Sequence, residues 1–280
     1  MTLQYPQLAA RFPRKRAFIT GAGSGLGLAL TQALARDGWA LGLFDHNLSR
    51  LTEVEGTLSG SGISVFAYPG DVTHADELTV AVNTFATGND GLDLMINNAG
   101  VSCAGTLMET PLADWQWIVG INLMGIVHGS RAAIPHLQRN GSGLLINVAS
   151  AAAFASAPGM IAYNATKAAA LSISESLCGE LRAVGTQVSV VMPTFFRSGL
   201  LESFRGSDER RQQAEQAMTH STYTVDQVAH DVLTQAGAGR TYIVLPRSAR
   251  WLWRFKRWMP GRFLKTVVAI RERMRATRQP

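Results

Sequence analysis

Two patterns of apolar and polar positions succeed one another along the chain. Seven short apolar runs, near residues 15–20, 40–45, 63–69, 92–98, 143–149, 187–193 and 241–245, predict strands. Helix-like segments near 26–37, 48–59, 74–87, 112–139, 160–184 and 224–236 lie between them. Apolar strands alternating with helices predict an α/β fold, a doubly wound parallel sheet of about seven strands covered on both faces. Ligands of such sheets bind beyond the carboxyl ends of the strands, so the residues that close each run are where chemistry is to be sought.

The first run enters Thr20-Gly21-Ala22-Gly23-Ser24-Gly25-Leu26-Gly27 and then a helix. Such a turn aims unpaired backbone N–H groups at an anion, and glycine lets a pyrophosphate come close to that backbone. Any tight strand-to-helix turn also favours glycine. Asp45 closes the second run, where a carboxylate accepts hydrogen bonds from a ribose and repels a 2′-phosphate, or simply forms a turn. No Arg within the glycine turn opposes the first of these readings. Asp71-Val72 follow the third run, where Asp71 could cap a helix beginning near His74.

The fifth run ends at Ser150, and Tyr163-Asn164-Ala165-Thr166-Lys167 follows within a helix-like segment. Four apart on a helix, the Tyr163 phenol and Lys167 ammonium share a face, and a nearby cation favours the phenolate. The same spacing also arises by chance on helices whose lysine only reaches solvent. Ser150 could donate to a substrate oxygen that Tyr163 protonates. A nucleophilic Ser150 activated by Lys167 is the competing chemistry, but no GxSxG turn surrounds it.

With Asn97-Asn98-Ala99-Gly100 between these stretches, residues 14–246 resemble the short-chain dehydrogenase/reductase family, whose TGxxxGxG, NNAG, Ser and YxxxK motifs occur here in order. The resemblance implies a Rossmann-type domain over 1–246 and hydride transfer between NAD(H) or NADP(H) and a carbonyl/alcohol pair, with Asp45 favouring NAD. It implies Ser150, Tyr163, Lys167 and Asn122 as the catalytic set, Asn122 holding a water beside Lys167 as part of a proton relay. For the cofactor it implies Gly21, Ser24, Gly25, Leu26, Gly27, Asp45, Asp71, Val72, Asn98, Ala99, Gly100, Tyr163 and Lys167, Asp71 lying at the adenine. Where the family more often reads PGxxxT, this chain has Pro193-Thr194-Phe195-Phe196-Arg197-Ser198, so Pro193, Thr194, Phe196 and Ser198 are the expected nicotinamide contacts. A lid over 195–220 carrying Phe195, Phe196, Leu200, Leu201 and Phe204, with the small residues 151–158, suggests a lipophilic alcohol or carbonyl substrate, core packing being the alternative. The family also implies a homodimer or homotetramer packed through 112–139 and 160–184. The contrasting expectation is a catalytically idle Rossmann protein that senses NAD(H) or serves as a membrane-bound scaffold.

Composition changes this picture at one place. Hydrophobic residues make up 46% of the 280 and charged residues 16%, enough for one substantial core. The net charge of +6 is concentrated in residues 247–280, where eleven Lys or Arg and one Glu give +10 and leave the rest at −4. In this extension Trp251, Leu252, Phe255, Trp258 and Met259 form an apolar helical stripe flanked by Arg250, Arg254, Lys256 and Arg257. Pro260-Gly261 is expected to break the helix before a second basic segment with Phe263, Leu264, Val267 and Ile270, ending in Arg271, Arg273, Arg275 and Arg278. Such a stripe over 248–280 suits an anionic membrane surface, or packs on the protein or a partner subunit; nucleic acid is not expected. Cys103 and Cys178 are too few for a disulfide framework, and His46, His74, His128, His136, His220 and His230 lack ligand spacing, so no metal is expected. Without an apolar export segment or an uncharged apolar stretch of spanning length, the expected location is cytoplasmic, peripheral to a membrane at most.

Overall fold

A computed structural model describes residues 4–139 and 141–276, with side chains to residue 270. The seven apolar runs form β1 (Arg16–Thr20), β2 (Ala40–Asp45), β3 (Val65–Pro69), β4 (Leu94–Asn97), β5 (Gly143–Val148), β6 (Thr186–Pro193) and β7 (Tyr242–Leu245). All pair in parallel in one sheet of order β3-β2-β1-β4-β5-β6-β7. The order reverses between β1 and β4, which opens a crevice at their carboxyl ends.

The connecting segments form α1 (Pro6–Arg11), α2 (Gly25–Arg36), α3 (Leu48–Leu58), α4 (Ala75–Gly88), α5 (Leu112–Val119) and α6 (Gly125–Arg139). They continue as α7 (Ala152–Ala155), α8 (Ile161–Leu181), α9 (Asp208–Thr219), α10 (Val225–Gly237), α11 (Ala249–Trp258) and α12 (Pro260–Ala276). Side chains alternate across the sheet. Ala17 and Ile19 of β1 join Leu30 and Leu34 of α2 and Val232 of α10 on one face, while Phe18 joins Phe85 of α4 and Leu137 of α6 on the other. Burial of each large apolar side chain stabilises the fold by about 1.5–3 kcal/mol relative to exposure. At the opposite end of the sheet from the crevice, a buried Arg16–Asp93 ion pair of 2.8 Å ties the start of β1 to the start of β4.

Three short or polar helices, α1, α7 and α9, were not expected. α9 is polar over most of its surface and buries only Met218, so it has no apolar stripe to read. Its start is set by Ser207, which accepts from the Arg210 N–H. The expected helix over 112–139 is interrupted by a π-turn at Gly120–Met124 between α5 and α6. By length and composition this run could cross a membrane, but it buries Ile118, Ile126, Ala133 and Leu137 inside the protein. The break expected at Pro260-Gly261 lies one residue earlier, at Met259, because Pro260 opens α12, where its missing N–H is no loss.

Candidate active site

At the crevice the glycine turn is held open for an anion. Gly21 and Gly25 have positive φ (64° and 50°), a conformation that side-chain-bearing residues avoid. Ser24 stands at the N-cap of α2, yet its side chain caps nothing and leaves the first-turn amides free of a side-chain partner. Gly27 serves packing, since a Cβ there would lie 1.9 Å from the Gly21 carbonyl oxygen. The Asn98 amide donates to the Thr20 and Gly21 carbonyls at 3.0 and 3.1 Å, and Thr20 Oγ1 accepts from the Asn98 and Ala99 N–H groups. These bonds lock the turn to the end of β4. Asn97 does the same deeper in the sheet, donating to Asn147 Oδ1 of β5 at 2.8 Å.

Asp45 lies on the wall of the resulting cleft, which measures about 480 Å³. Its two oxygens accept from the Gly23 N–H at 2.9 Å and the Asn47 N–H at 3.0 Å, so the residue shapes the turn as well as facing the cleft. Asp71 accepts from the Thr73 N–H at 2.8 Å and organises its own loop, while His74 occupies the N-cap of α4. Asp71 and Val72 both face the cleft. The α2 N-terminus without a side-chain cap, the positive-φ glycines and the small residues Ala99 and Gly100 fit an extended dinucleotide.

Below the cleft, α8 presents Tyr163 and Lys167, respectively 7% and 4% exposed. Lys167 Nζ donates to the Val148 carbonyl at 3.0 Å and lies 5.7 Å from the centre of the Tyr163 ring. Burial raises the Tyr163 phenol above its ordinary value, and a hydrogen bond with Ser150 partly opposes this. Burial also lowers the Lys167 ammonium from 10.5 to about 8. Burial is thus the largest influence on the phenol in this state and raises it, against the expectation that Lys167 draws it down. Ser150 Oγ accepts from the Ala152 N–H at 3.1 Å, so the first turn of α7 orients the hydroxyl.

Asn122 occupies the π-turn and is fully buried. Its Oδ1 accepts from the Val101 N–H at 2.8 Å, and its Nδ2 donates to the Val101 carbonyl at 2.9 Å and to Thr166 Oγ1 at 3.3 Å. With both amide hydrogens used, this side chain positions the Gly100–Val101 backbone against α8 and has no donor left for a water relay. A Cβ on Gly100 would lie 3.2 Å from Asn122 Oδ1 and 3.4 Å from Lys167 Nζ, so glycine permits the close approach.

Residues after β6 fold back over the cleft. Pro193, Phe196, Ser198 and Leu200 line it, and Ser198 lies against Gly25. Thr194 does not line it; its N–H donates to the Leu245 carbonyl at 2.8 Å and extends the sheet. Of the expected lid residues Leu201 is buried, whereas Phe195 is exposed. Sequence reasoning missed Trp117, Ile121, Arg50 and Glu202 on the same walls. Arg50 of α3 pairs with Glu202 across 152 residues. Arg205 stacks on Trp117 at 3.9 Å and bonds Asp114 at 2.8 Å, and its main chain exchanges hydrogen bonds with Ser102 and Ala104.

The chain matches the family model for short chain dehydrogenases over residues 15–209. It is 30% identical over 240 residues to D-beta-hydroxybutyrate dehydrogenase of Rhizobium meliloti (strain 1021), covering 84% of this chain and 88% of that protein. A short chain dehydrogenase/reductase from Burkholderia phymatum, crystallised with NAD, superposes with a TM-score of 0.80 at 28% identity, over 95% of this chain and 96% of that one. A short-chain dehydrogenase from Sphingobium yanoikuyae, in complex with NADPH, gives 0.73 at 27% identity, over 84% and 90%. Sheet order, glycine turn, Ser/Tyr/Lys geometry and these likenesses agree: the chain belongs to the short-chain dehydrogenase/reductase family, nicotinamide-dependent oxidoreductases acting on CH–OH groups.

Proposed function

We propose that the protein prefers NAD(H) and interconverts a lipophilic secondary alcohol and its carbonyl. The observation that carries this reading is the Ser150–Tyr163–Lys167 group, its Tyr163 and Lys167 buried, beside a cleft whose wall also holds Asp45. A bound nicotinamide supplies the hydride donor or acceptor. Tyr163, kept protonated at neutral pH by burial, donates its proton to the oxygen formed when a carbonyl is reduced. Ser150 steadies that oxygen, and the Lys167 charge stabilises the phenolate left behind. In the direction of alcohol oxidation the phenol must first lose its proton, so oxidation should accelerate as pH rises while reduction should not.

Asp45 supports the preference for NAD, because a carboxylate there repels a 2′-phosphate. Trp117, Ile121, Phe196 and Leu200 support a lipophilic substrate, since they give the cleft apolar walls. The likeness to D-beta-hydroxybutyrate dehydrogenase places 3-hydroxy acids of increasing chain length in the test panel beside simple secondary alcohols.

The test follows cofactor reduction with that panel and both cofactors, in the unaltered protein and in Tyr163→Phe. The variant should bind NAD(H) as before while kcat falls about 10²–10⁴-fold. A nearly unchanged kcat would remove Tyr163 from the reaction. Higher kcat/KM with NADP(H), or no rise with chain length, would overturn the cofactor and substrate readings separately.

A further inference from the structure

The extension packs on the domain through the side opposite its apolar stripe. Ala249 and Trp253 of α11 face inward, Trp253 lying 4.9 Å from the Tyr242 ring of β7 and both joining the cluster that holds Phe154 of α7. Trp251 and Trp258 project from the other side of the helix and are 68% and 72% exposed, and Leu252 and Met259 are exposed with them. α12 folds back on α11 through Phe255 and Phe263, 5.6 Å apart, and leaves Leu264, Val268 and Ile270 exposed. A short helix with so few inward anchors does not hide its aromatics; it displays them.

The charge around this display is of one sign. Between Arg247 and Ile270 the sequence has no Asp or Glu. Among the described residues Arg254, Lys256, Arg257, Arg262 and Lys265 form no ion pair; four of them lie against an aromatic ring or the Met259 sulfur. Arg271, Arg273, Arg275 and Arg278, also expected from the sequence to add charge, lie outside the described side chains.

We propose that α11 and α12 dock the protein on an anionic lipid membrane, the tryptophans sitting at headgroup depth and the cations on lipid phosphates and carboxylates. Trp with Arg and Lys on one surface suits the boundary between hydrocarbon and water. A second copy of the chain fits poorly, because a two-fold contact through this face would set like charges against each other with no carboxylate between them. A nucleic acid would stack on Trp251 and Trp258 but leave Leu252, Leu264, Val268 and Ile270 in water, whereas a lipid surface buries them. Docking does not depend on the reaction proposed above. It would nevertheless bring a membrane within one helix of the active site, since α11 packs on α7 and α7 directly follows Ser150.

Flotation of the full-length protein with vesicles tests this, comparing phosphatidylcholine alone with phosphatidylcholine containing phosphatidylserine. Binding should require phosphatidylserine and decline as salt is raised. Arg254→Gln/Arg257→Gln/Arg262→Gln should weaken partitioning about 100-fold, at roughly fivefold per charge. Trp251→Ser/Trp258→Ser should weaken it about tenfold or more, with thermal melting and dehydrogenase activity as controls for folding. Failure of the unaltered protein to float at low salt overturns the proposal. So does flotation unaffected by either variant, as does an oligomer that the tryptophan variant dissociates, which would make this face a contact between copies.

Discussion

Lys167, to which the proposed reaction assigns a charge, is held at the expense of the fold's stability. Lowering its ammonium from 10.5 to about 8 corresponds to about 3 kcal/mol of desolvation cost while the group is charged in both folded and unfolded chains. Lys167→Met keeps the length of the side chain and removes the charge. The variant should lose turnover yet equal or exceed the parent in stability at neutral pH. Because the folded-state value is depressed, the unfolded chain binds more protons between about pH 8 and the ordinary lysine value, and the parent's stability rises with pH across that window. The advantage of the variant should therefore be full below about pH 8 and shrink toward pH 10. Urea unfolding at the two ends of this range checks it; a less stable variant at neutral pH would mean that the hydrogen bond to Val148 outweighs desolvation.

Among the elements, the longer ones that bury an apolar face were legible and the short or polar ones were missed. All seven strands could be read because each is a short, mostly apolar run set off by turn residues. α9 was invisible because it is polar over most of its surface, and α1 because a six-residue helix beginning at Pro6 is too short to show a period. Ser150, Tyr163 and Lys167 were legible because a strand end and one helical turn bring them together. Asn122 was located correctly, but its side-chain role depends on the Val101 backbone, which no spacing reveals. Arg50 was overlooked because it comes from α3 and not from the glycine turn. Its guanidinium is held by Glu202, so the charge beside Asp45 is neutralised. Glu202→Gln should release Arg50 toward a 2′-phosphate and raise kcat/KM for NADP(H) relative to NAD(H) by about tenfold, the scale of one charge-assisted hydrogen bond. Parallel kinetics with the two cofactors decide this, and an unchanged ratio would show that Arg50 cannot reach the phosphate.

For the whole molecule, the segment 198–205 lines the cleft and is fastened to its walls at two points. Glu202 grips Arg50 at the Asp45 end, and Arg205 is held by Asp114, Trp117 and the main chain of Ser102 and Ala104 at the other. Ser198, Gly199, Leu200, Glu202 and Ser203 of this segment line the cleft, so exchange of a bound dinucleotide is expected to disturb these bonds. The slow event in each cycle should then be departure and not hydride movement. Mixing enzyme, cofactor and alcohol in a stopped-flow instrument should give a rapid burst of reduced nicotinamide, close to one equivalent per active site, ahead of a slower steady state. Deuterium on the reacting carbon of the alcohol should slow the burst and leave kcat almost untouched, whereas a full isotope effect on kcat would show that the strap opens faster than the bond breaks.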